Sequence, residues 1–312
     1  MSAARLPTRQ AVDIRSHRRP SATARRQELE LKLTDLQQHY AELRTEIFEA
    51  AQVHRRLCAP RQLRFGNFEV ASEIFAVRHL PGDFFTVQQQ FDGVVFALGD
   101  ICGKGLAAGM WTTHLVGLLG ARMAVNTTLE GIVAGVNRDI CLLKSFMPLV
   151  SLFIAKLDPN TGLVKYCSAG HPPAFLLRAN GELELLSDGG MVLGVVAAAP
   201  YVCGSFVLGE GDMLMVYSDG ITESQNVAGE EFGYGRLEDQ LRRAAGGAGD
   251  KRAEVAGDSR VETETPGPQA RTADGVLFSV LGAVQDFAAA CPLVDDMSLA
   301  VICRQPAEQA TA

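Results

Sequence analysis

Between residues 29 and 57, hydrophobic positions recur at alternating steps of four and three, separated by Glu, Lys, Gln and Arg. The seam comprises Leu29, Leu33, Leu36, Tyr40, Leu43, Ile47, Ala50, His54 and Leu57. This spacing predicts a helix over 27–59 that forms a coiled coil, and hence a homodimer, through residues 29–57. A single amphipathic helix packed on its own domain gives the same pattern, since Ala50 and His54 are weak seam residues. Pro60 ends the helix under either interpretation.

Beyond this helix the pattern changes to short apolar runs rich in β-branched and aromatic residues. These predicted strands cover 68–77, 84–90, 93–99, 149–158, 163–170, 174–180, 212–218 and 297–304. Turns such as Asp92-Gly93 and Asn180-Gly181 join several of them directly, which is typical of antiparallel hairpins. Helical stretches are grouped between the strands, near 106–125, 128–145, 234–244 and 275–290. Hairpins with grouped helices favour an α+β layered sandwich over a doubly wound sheet, in a domain spanning 60–304.

Three segments fall outside this pattern. Residues 1–26 carry seven Arg and one Asp, a formal charge of +6, which leaves −13 for the rest of a chain of net charge −7. We expect this tail to be disordered, with contact to an anionic lipid surface or an acidic partner as the alternative. Residues 245–273, rich in Gly, Ala, Pro and charge, are predicted to be a disordered insertion. Residues 305–312 form a C-terminal tail.

Composition narrows the class of protein. The acidic body argues against nucleic acid as a ligand, because binding to phosphate backbones needs clustered Lys and Arg. Seven scattered cysteines without a CxxC pair fit a reducing cytoplasm. The N-terminus lacks the apolar core of a signal peptide. The apolar stretch 106–125 contains Thr112, His114 and Arg122, so we expect a buried helix and no membrane span. The predicted location is cytoplasmic.

The segment FALGDICGKGLAAG at 96–109 contains a Gly-Lys-Gly that resembles part of a phosphate-binding loop. A Walker-type loop needs a glycine where Leu98 stands and a Ser or Thr where Gly105 follows Lys104. Both defining residues are missing, which sets aside a nucleotide-binding ATPase. The remaining candidate for chemistry in this segment is Asp100, the acid before the Gly-Lys-Gly.

Acidic residues stand at the ends of several predicted strands. They are Asp83 before 84–90, Asp100 after 93–99, Asp219 after 212–218, and Asp295 with Asp296 before 297–304. An Asp-Gly turn is commonplace on its own, so only the set is informative. Carboxylates are costly to cluster unless a cation neutralises them. Carboxylate ligands with no nearby His or Cys pair favour Mg²⁺ or Mn²⁺ over zinc.

Six ordered segments now carry a family resemblance. They are LPGDFF (80–85), ALGDICGKGLAAG (97–109), CSAGHPPAFLLRANGELELLSDGGMVLGV (167–195), GDMLMVYSDGITESQN (211–226), EEFGYGRLEDQL (230–241) and DDMSLAVICR (295–304). They resemble the successive motifs of the bacterial sporulation-stage-II-E and sigma-regulating branch of the PP2C-type (PPM) serine/threonine phosphatases. The resemblance covers about 60–304, without the insertion.

This resemblance implies an αββα sandwich of two antiparallel sheets with a two-metal site at one end. By motif position, Asp100 would bridge two Mn²⁺ or Mg²⁺ ions and the carbonyl of Ile101 would be a ligand. Asp219 and Asp295 would hold one ion, and Asp83 would lie on the other side of the site. Asp100, Asp219 and Asp295 are the implied catalytic residues. Water activated by the metals would attack phosphorus in line, without a protein nucleophile.

Four further residues are candidates for a supporting or phosphate-binding role. Lys104 either helps to hold the phosphate or is a solvated loop lysine. Asp296 would support the ligands, and Glu223 would cap the helix or turn after Asp219 or, in a second interpretation, contact metal. His171 would brace a turn or act as a general acid. Cys102 is interpreted as a small packing residue rather than as a redox switch.

In this branch the implied substrate is a phosphorylated STAS-domain antagonist of an anti-sigma factor. Some 25 residues before the helix are too few for a sensor domain, so we expect an upstream activator to act at the helix or the tail. The first motif departs from the family at Pro81 and Thr86, which usually are Gly and Asp. That departure keeps a second hypothesis open: a binding module with the fold but without turnover.

Overall fold

The computed structural model describes residues 21–58, 62–125, 128–143, 148–246, 272–289 and 291–306. It divides the chain into two units, residues 1–49 and 50–312. The helices of the described residues are α1 (Ala22–Cys58), α2 (Leu106–Val125), α3 (Leu129–Leu142), α4 (Asp219–Thr222), α5 (Gly233–Ala244) and α6 (Ala273–Ala288). The strands are β1 (Gln62–Phe65), β2 (Phe68–Phe75), β3 (Phe84–Gln90), β4 (Gly93–Ile101), β5 (Val150–Leu157), β6 (Leu163–Ala169), β7 (Ala174–Leu177), β8 (Leu183–Leu186), β9 (Gly189–Gly190), β10 (Gly204–Val207), β11 (Met213–Tyr217) and β12 (Met297–Arg304).

Helix α1 provides the described part of the first unit and begins at Ala22, five residues before the predicted start. The earlier part of its apolar seam is exposed, since Leu29, Leu33, Leu36, Tyr40 and Leu43 each keep more than half of their accessible surface, whereas His54 near the end of the seam is buried. Such a seam is compatible with the coiled coil, which stays a prediction. Residues 1–20 of the predicted tail and Pro60 lie outside the described residues.

The second unit contains two stacked sheets. Sheet I has the strand order β1-β2-β12-β11-β7-β8, and sheet II the order β10-β6-β5-β4-β3 with β9 beside β6. Neighbouring strands are antiparallel except for the short β6–β9 pair. The predicted α+β sandwich of antiparallel sheets is confirmed.

Strand β4 shows why the central strands are apolar throughout. Successive side chains of a strand point to opposite faces. Phe96 and Leu98 therefore enter the core between the two sheets, whereas Val95 and Ala97 enter the core beneath the helices. Both faces are buried, which produces a continuous apolar run rather than an alternating one.

Two helices cover the outer face of each sheet. Helices α2 and α3 pack on sheet II, and α5 and α6 pack on sheet I. Thr128 begins α3 by accepting the N–H of Gly131, and Thr272 begins α6 by accepting the N–H of Gly275. Both are N-caps, which satisfy amide groups that have no partner within the helix. Among the described residues, no helix is both long enough and apolar enough to cross a bilayer.

Sequence patterning missed the short elements β1, β8, β9, β10 and α4. Strands β1, β8 and β10 have four residues each and contain exposed or half-exposed positions, so they lack a continuous apolar run. The predicted insertion 245–273 included Ala245 and Ala273, but both are buried core residues at the ends of α5 and α6. The rest of that insertion, 247–271, and the tail beyond residue 306 lie outside the described residues.

Candidate metal centre

Antiparallel register brings the candidate acids to one end of the sandwich. Phe84 pairs with Gly99 between β3 and β4, which places Asp83 beside Asp100 at the end of sheet II. Tyr217 pairs with Leu299 between β11 and β12. The end of β11 therefore lies beside the beginning of β12 in sheet I, so residues that precede one strand meet residues that follow its neighbour.

Asp83 and Asp100 form the buried half of this centre. Asp83 is 1% exposed. Burial, together with the charge of Asp100, raises the pKa of Asp83 well above its ordinary range. Burial, and next the charge of Asp219, raises the pKa of Asp100 to about 6, while a hydrogen bond from Asp83 opposes that rise. When no cation is bound, the neutral form is therefore favoured more strongly at Asp83 than at Asp100.

The lack of a side chain at Gly82 lets a backbone carbonyl approach closely in the buried half. A Cβ at Gly82 would stand 2.9 Å from the Ile101 carbonyl oxygen and 3.4 Å from Oδ1 of Asp100. The two loops thus approach as closely as they do because residue 82 has no side chain. The hydroxyl of Thr112 in α2 donates to the Gly82 carbonyl at 2.9 Å and fixes the loop from the other side.

Asp219 and Asp295 form the solvent-facing half. Asp219 opens the short helix α4. Burial and the charge of Asp295 raise the pKa of Asp219, whereas the N–H of Gly220 opposes this. Oδ2 of Asp295 lies 2.8 Å from Nζ of Lys104. The lysine therefore contacts an acid of the centre, an arrangement that neither sequence interpretation of Lys104 included.

Asp296 braces both halves without facing open space. Its two carboxylate oxygens accept the N–H groups of Val77 and Gly82, each at 2.7 Å. Burial raises its pKa, and these two N–H groups oppose the rise. A Cβ at Gly220 would stand 2.0 Å from the Asp296 carbonyl oxygen. Asp296 thus holds the loop that precedes Asp83 and packs against the turn that carries Asp219.

His171 is buried, and its Nδ1 lies 2.9 Å from the hydroxyl of Ser151. Burial lowers the pKa of His171 to about 3. The ring is then neutral near pH 7 and poorly suited to donate a proton, which favours the turn-bracing interpretation. Ser151 pairs with Asp100 across β4 and β5, so the hydrogen bond with Ser151 connects His171 to the residue opposite Asp100.

Two exposed side chains border the solvent-facing half. Burial, and then the charges of Asp219 and Glu231, raises the pKa of Glu223. Its backbone N–H caps α4 by donating to the Asp219 carbonyl at 2.8 Å. Burial and the charge of Asp100 raise the pKa of the Cys102 thiol, which disfavours a reactive thiolate.

The donor set fits a hard divalent cation, although its present arrangement is not that of a loaded site. Among the described residues, no group of three His, Cys, Asp or Glu side chains is placed to hold a metal ion as it stands. Oδ2 of Asp83 is buried without a hydrogen-bond partner. An orphaned carboxylate oxygen on the residue that lies beside Asp100 offers the oxygen-only chemistry that Mg²⁺ and Mn²⁺ prefer.

Comparison with known proteins identifies the family. The family model of stage II sporulation protein E (SpoIIE) matches residues 91–256, more than half of the chain. The chain belongs to the SpoIIE family. Phosphoserine phosphatase RsbU of Bacillus subtilis is 22% identical to it over 189 residues, or 60% of this chain. The match covers 56% of the length of RsbU, and 36% of the length of protein IcfG from Synechocystis, which is 24% identical over 226 residues.

Solved structures agree with this membership at the level of the fold. The PP2C domain of SiaA from Pseudomonas aeruginosa aligns with a TM-score of 0.66 at 14% identity, covering 86% of this chain and 99% of that domain. RsbX, solved in complex with magnesium, aligns with a TM-score of 0.53 at 14% identity, covering 78% and 98%. The resemblance to the SpoIIE and sigma-regulating branch, and the PP2C-like fold, are confirmed.

Proposed function

We propose that the protein is a metal-dependent protein serine/threonine phosphatase. The observation that carries this proposal is the convergence of carboxyl groups from both sheets at one end of the sandwich, where Asp83 is buried beside Asp100. Membership of the SpoIIE family and similarity to a protein named phosphoserine phosphatase support it.

The chain's own residues would hold two Mn²⁺ or Mg²⁺ ions. Asp100 and the Ile101 carbonyl would be ligands, Asp219 and Asp295 would hold an ion in the solvent-facing half, and Asp83 would support the buried half. When bound, such ions supply activated water and neutralise phosphoryl charge. Asp296 keeps the Asp83 loop in place through the N–H groups of Val77 and Gly82.

For the substrate, we propose a phosphorylated STAS-type antagonist of an anti-sigma factor in a partner-switching pathway. The family membership and the similarity to RsbU support this class of phosphoprotein. We further propose that an activator acts through α1, whose exposed seam could pair with a second copy. A cytoplasmic location belongs to the same proposal, supported by cysteines spaced as separate thiols.

The test is Mn²⁺-dependent hydrolysis of p-nitrophenyl phosphate and of a phosphoserine peptide. Wild type is compared with Asp100→Asn, Asp219→Asn and the matched control Asp286→Asn, an exposed acid of α6. We expect losses of at least about 100-fold in the first two, because each removes a charged ligand, and no loss in the control. A wild type that binds Mn²⁺ but turns over neither substrate would support the binding module.

A further inference from the structure

Lys104 connects two loops that are 190 residues apart in the sequence. Its Nζ lies 2.8 Å from Oδ2 of Asp295 and donates a hydrogen bond to the Val294 carbonyl at 2.5 Å. The side chains of Lys104 and Asp295 are 32% and 39% exposed. The contact therefore lies at the rim of the metal centre, where an ion from solvent can compete for the same carboxylate.

The Lys104 ammonium faces more acids than the one it contacts. Burial raises the pKa values of Asp219, Glu223 and Asp296, and neighbouring carboxylates add to the rise for all three. Lys104 opposes it in each case. One positive charge thus offsets part of the repulsion within the solvent-facing half.

Two glycines flank Lys104 in its loop. Gly103 and Gly105 have φ values of 132° and 83°, a region that residues with a side chain rarely adopt. A Cβ at Gly103 would meet nothing within 4 Å, whereas the Gly103 carbonyl oxygen would stand 3.1 Å from a Cβ at Gly82. The loop backbone can therefore stay in place while the Lys104 side chain, which is 32% exposed, rotates away from Asp295 into solvent.

A divalent cation bound to Asp295 would compete with the ammonium group for the same carboxylate. The two positive charges, a few ångströms apart, would repel each other. We propose that Lys104 is a displaceable internal cation, which occupies Asp295 in the metal-free protein and is expelled when a divalent ion binds at Asp219 and Asp295. This inference rests on the proposed function, since it concerns the same centre.

The direct test is calorimetric titration of the full chain with Mn²⁺ at low salt. The variants are Lys104→Met, Lys104→Arg and the control Lys165→Met, which removes a charge from an exposed position of β6. We expect Lys104→Met to bind the Mn²⁺ ion at Asp219 and Asp295 about ten-fold more tightly than wild type, because the competing ammonium charge is gone. Lys104→Arg should not bind more tightly than wild type, and Lys165→Met should match wild type. Salt near 1 M should narrow the difference.

A second readout does not depend on these variants. Amine-selective labelling followed by mass spectrometry reports how accessible Nζ of Lys104 is in the wild type. We expect Mn²⁺ to increase labelling of Lys104 relative to Lys165, because the ion pair with Asp295 is broken. Unchanged labelling, or a folded Lys104→Met variant whose Mn²⁺ affinity is equal to or weaker than that of wild type, would overturn the inference. If no form of the protein binds Mn²⁺, the proposed function fails, and this inference fails with it.

Discussion

The buried half and the solvent-facing half of the centre lie at the same end of the sandwich but balance their negative charge differently. Burial raises the pKa values of both Asp83 and Asp100, and the charge of Asp100 raises that of Asp83 further, so a shared proton is favoured in this half. Asp295 instead pairs with the Lys104 ammonium, which solvent can reach. A metal must therefore displace a proton from one half and a lysine from the other. Binding to the first should depend on pH, and binding to the second on ionic strength.

The largest effect on stability should come from adding a methyl group at the two closely packed glycines, Gly82 in the buried half and Gly220 in the solvent-facing half. A Cβ at Gly220 would stand 2.0 Å from the Asp296 carbonyl oxygen, whereas a Cβ at Gly82 would stand 2.9 Å from the Ile101 carbonyl oxygen. We expect Gly220→Ala to lower the free energy of unfolding by about 3 kcal/mol or more, and Gly82→Ala by about 1 kcal/mol. Urea denaturation measures both.

The control for these variants is Gly117→Ala in α2, where a Cβ would meet nothing within 4 Å. It should stabilise the protein by up to about 1 kcal/mol, because alanine favours a helix. Equal losses in Gly82→Ala and Gly220→Ala would mean that the two halves are packed with similar tolerance, contrary to this account.

The next largest effect concerns the proton that the buried half binds at Asp100. The pKa of Asp100 is about 6 in the folded protein, against an ordinary value of 3.8. As pH falls, the folded state therefore binds a proton at Asp100 before the unfolded state does. Metal-free wild type gains stability from this proton between pH 7 and pH 4. Asp100→Asn cannot gain in this way. We expect the variant to be more stable than metal-free wild type by on the order of 2 kcal/mol at pH 7.5, with little difference at pH 4.

Thermal or urea unfolding of wild type and Asp100→Asn in chelator, at several pH values, gives this difference directly. Buried His171 destabilises both proteins as pH falls, since its pKa of about 3 lies below the ordinary value, and it cancels in the comparison. Asp286→Asn is again the matched control. A difference between wild type and Asp100→Asn that stays constant from pH 4 to pH 8 would contradict the shared proton.

The smallest effect concerns Ser218, which joins the halves. Its hydroxyl is buried, faces Asp83 and accepts the N–H of Ser298 at 2.9 Å. Ser218→Ala leaves that buried N–H without this acceptor, so we expect a loss of about 1 kcal/mol in the free energy of unfolding. Ser205→Ala, on an exposed position of β10, should be neutral. Equal stabilities of the two variants would show that Ser218 does not connect the halves.

Much of the fold could be predicted because the chain signals its core strands and helices locally. Helix α2 and strands β3 and β12 have the predicted bounds, and turn residues such as Gly105 and Asp92-Gly93 mark the start of α2 and the end of β3 in the sequence. Strands β1, β8 and β10 could not be found in this way, because short and partly exposed strands depend on their neighbours for stability.

The acids of the site were visible in the sequence as carboxylates at the ends of strands, and antiparallel pairing brings them together. What neutralises them was not visible. The shared proton depends on how deeply Asp83 is buried, and the contact between Lys104 and Asp295 depends on the meeting of two loops 190 residues apart in the sequence. Neither quantity has a local signature in the chain.

The most direct test of the central claim is the number of Mn²⁺ ions that the protein binds, measured by titration calorimetry on wild type and on Asp100→Asn. A carboxylate that bridges both halves predicts two ions per chain in wild type and the loss of tight binding in the variant. Two ions bound equally well by Asp100→Asn, or none bound by wild type at neutral pH, would contradict the assignment of this cluster as the metal centre.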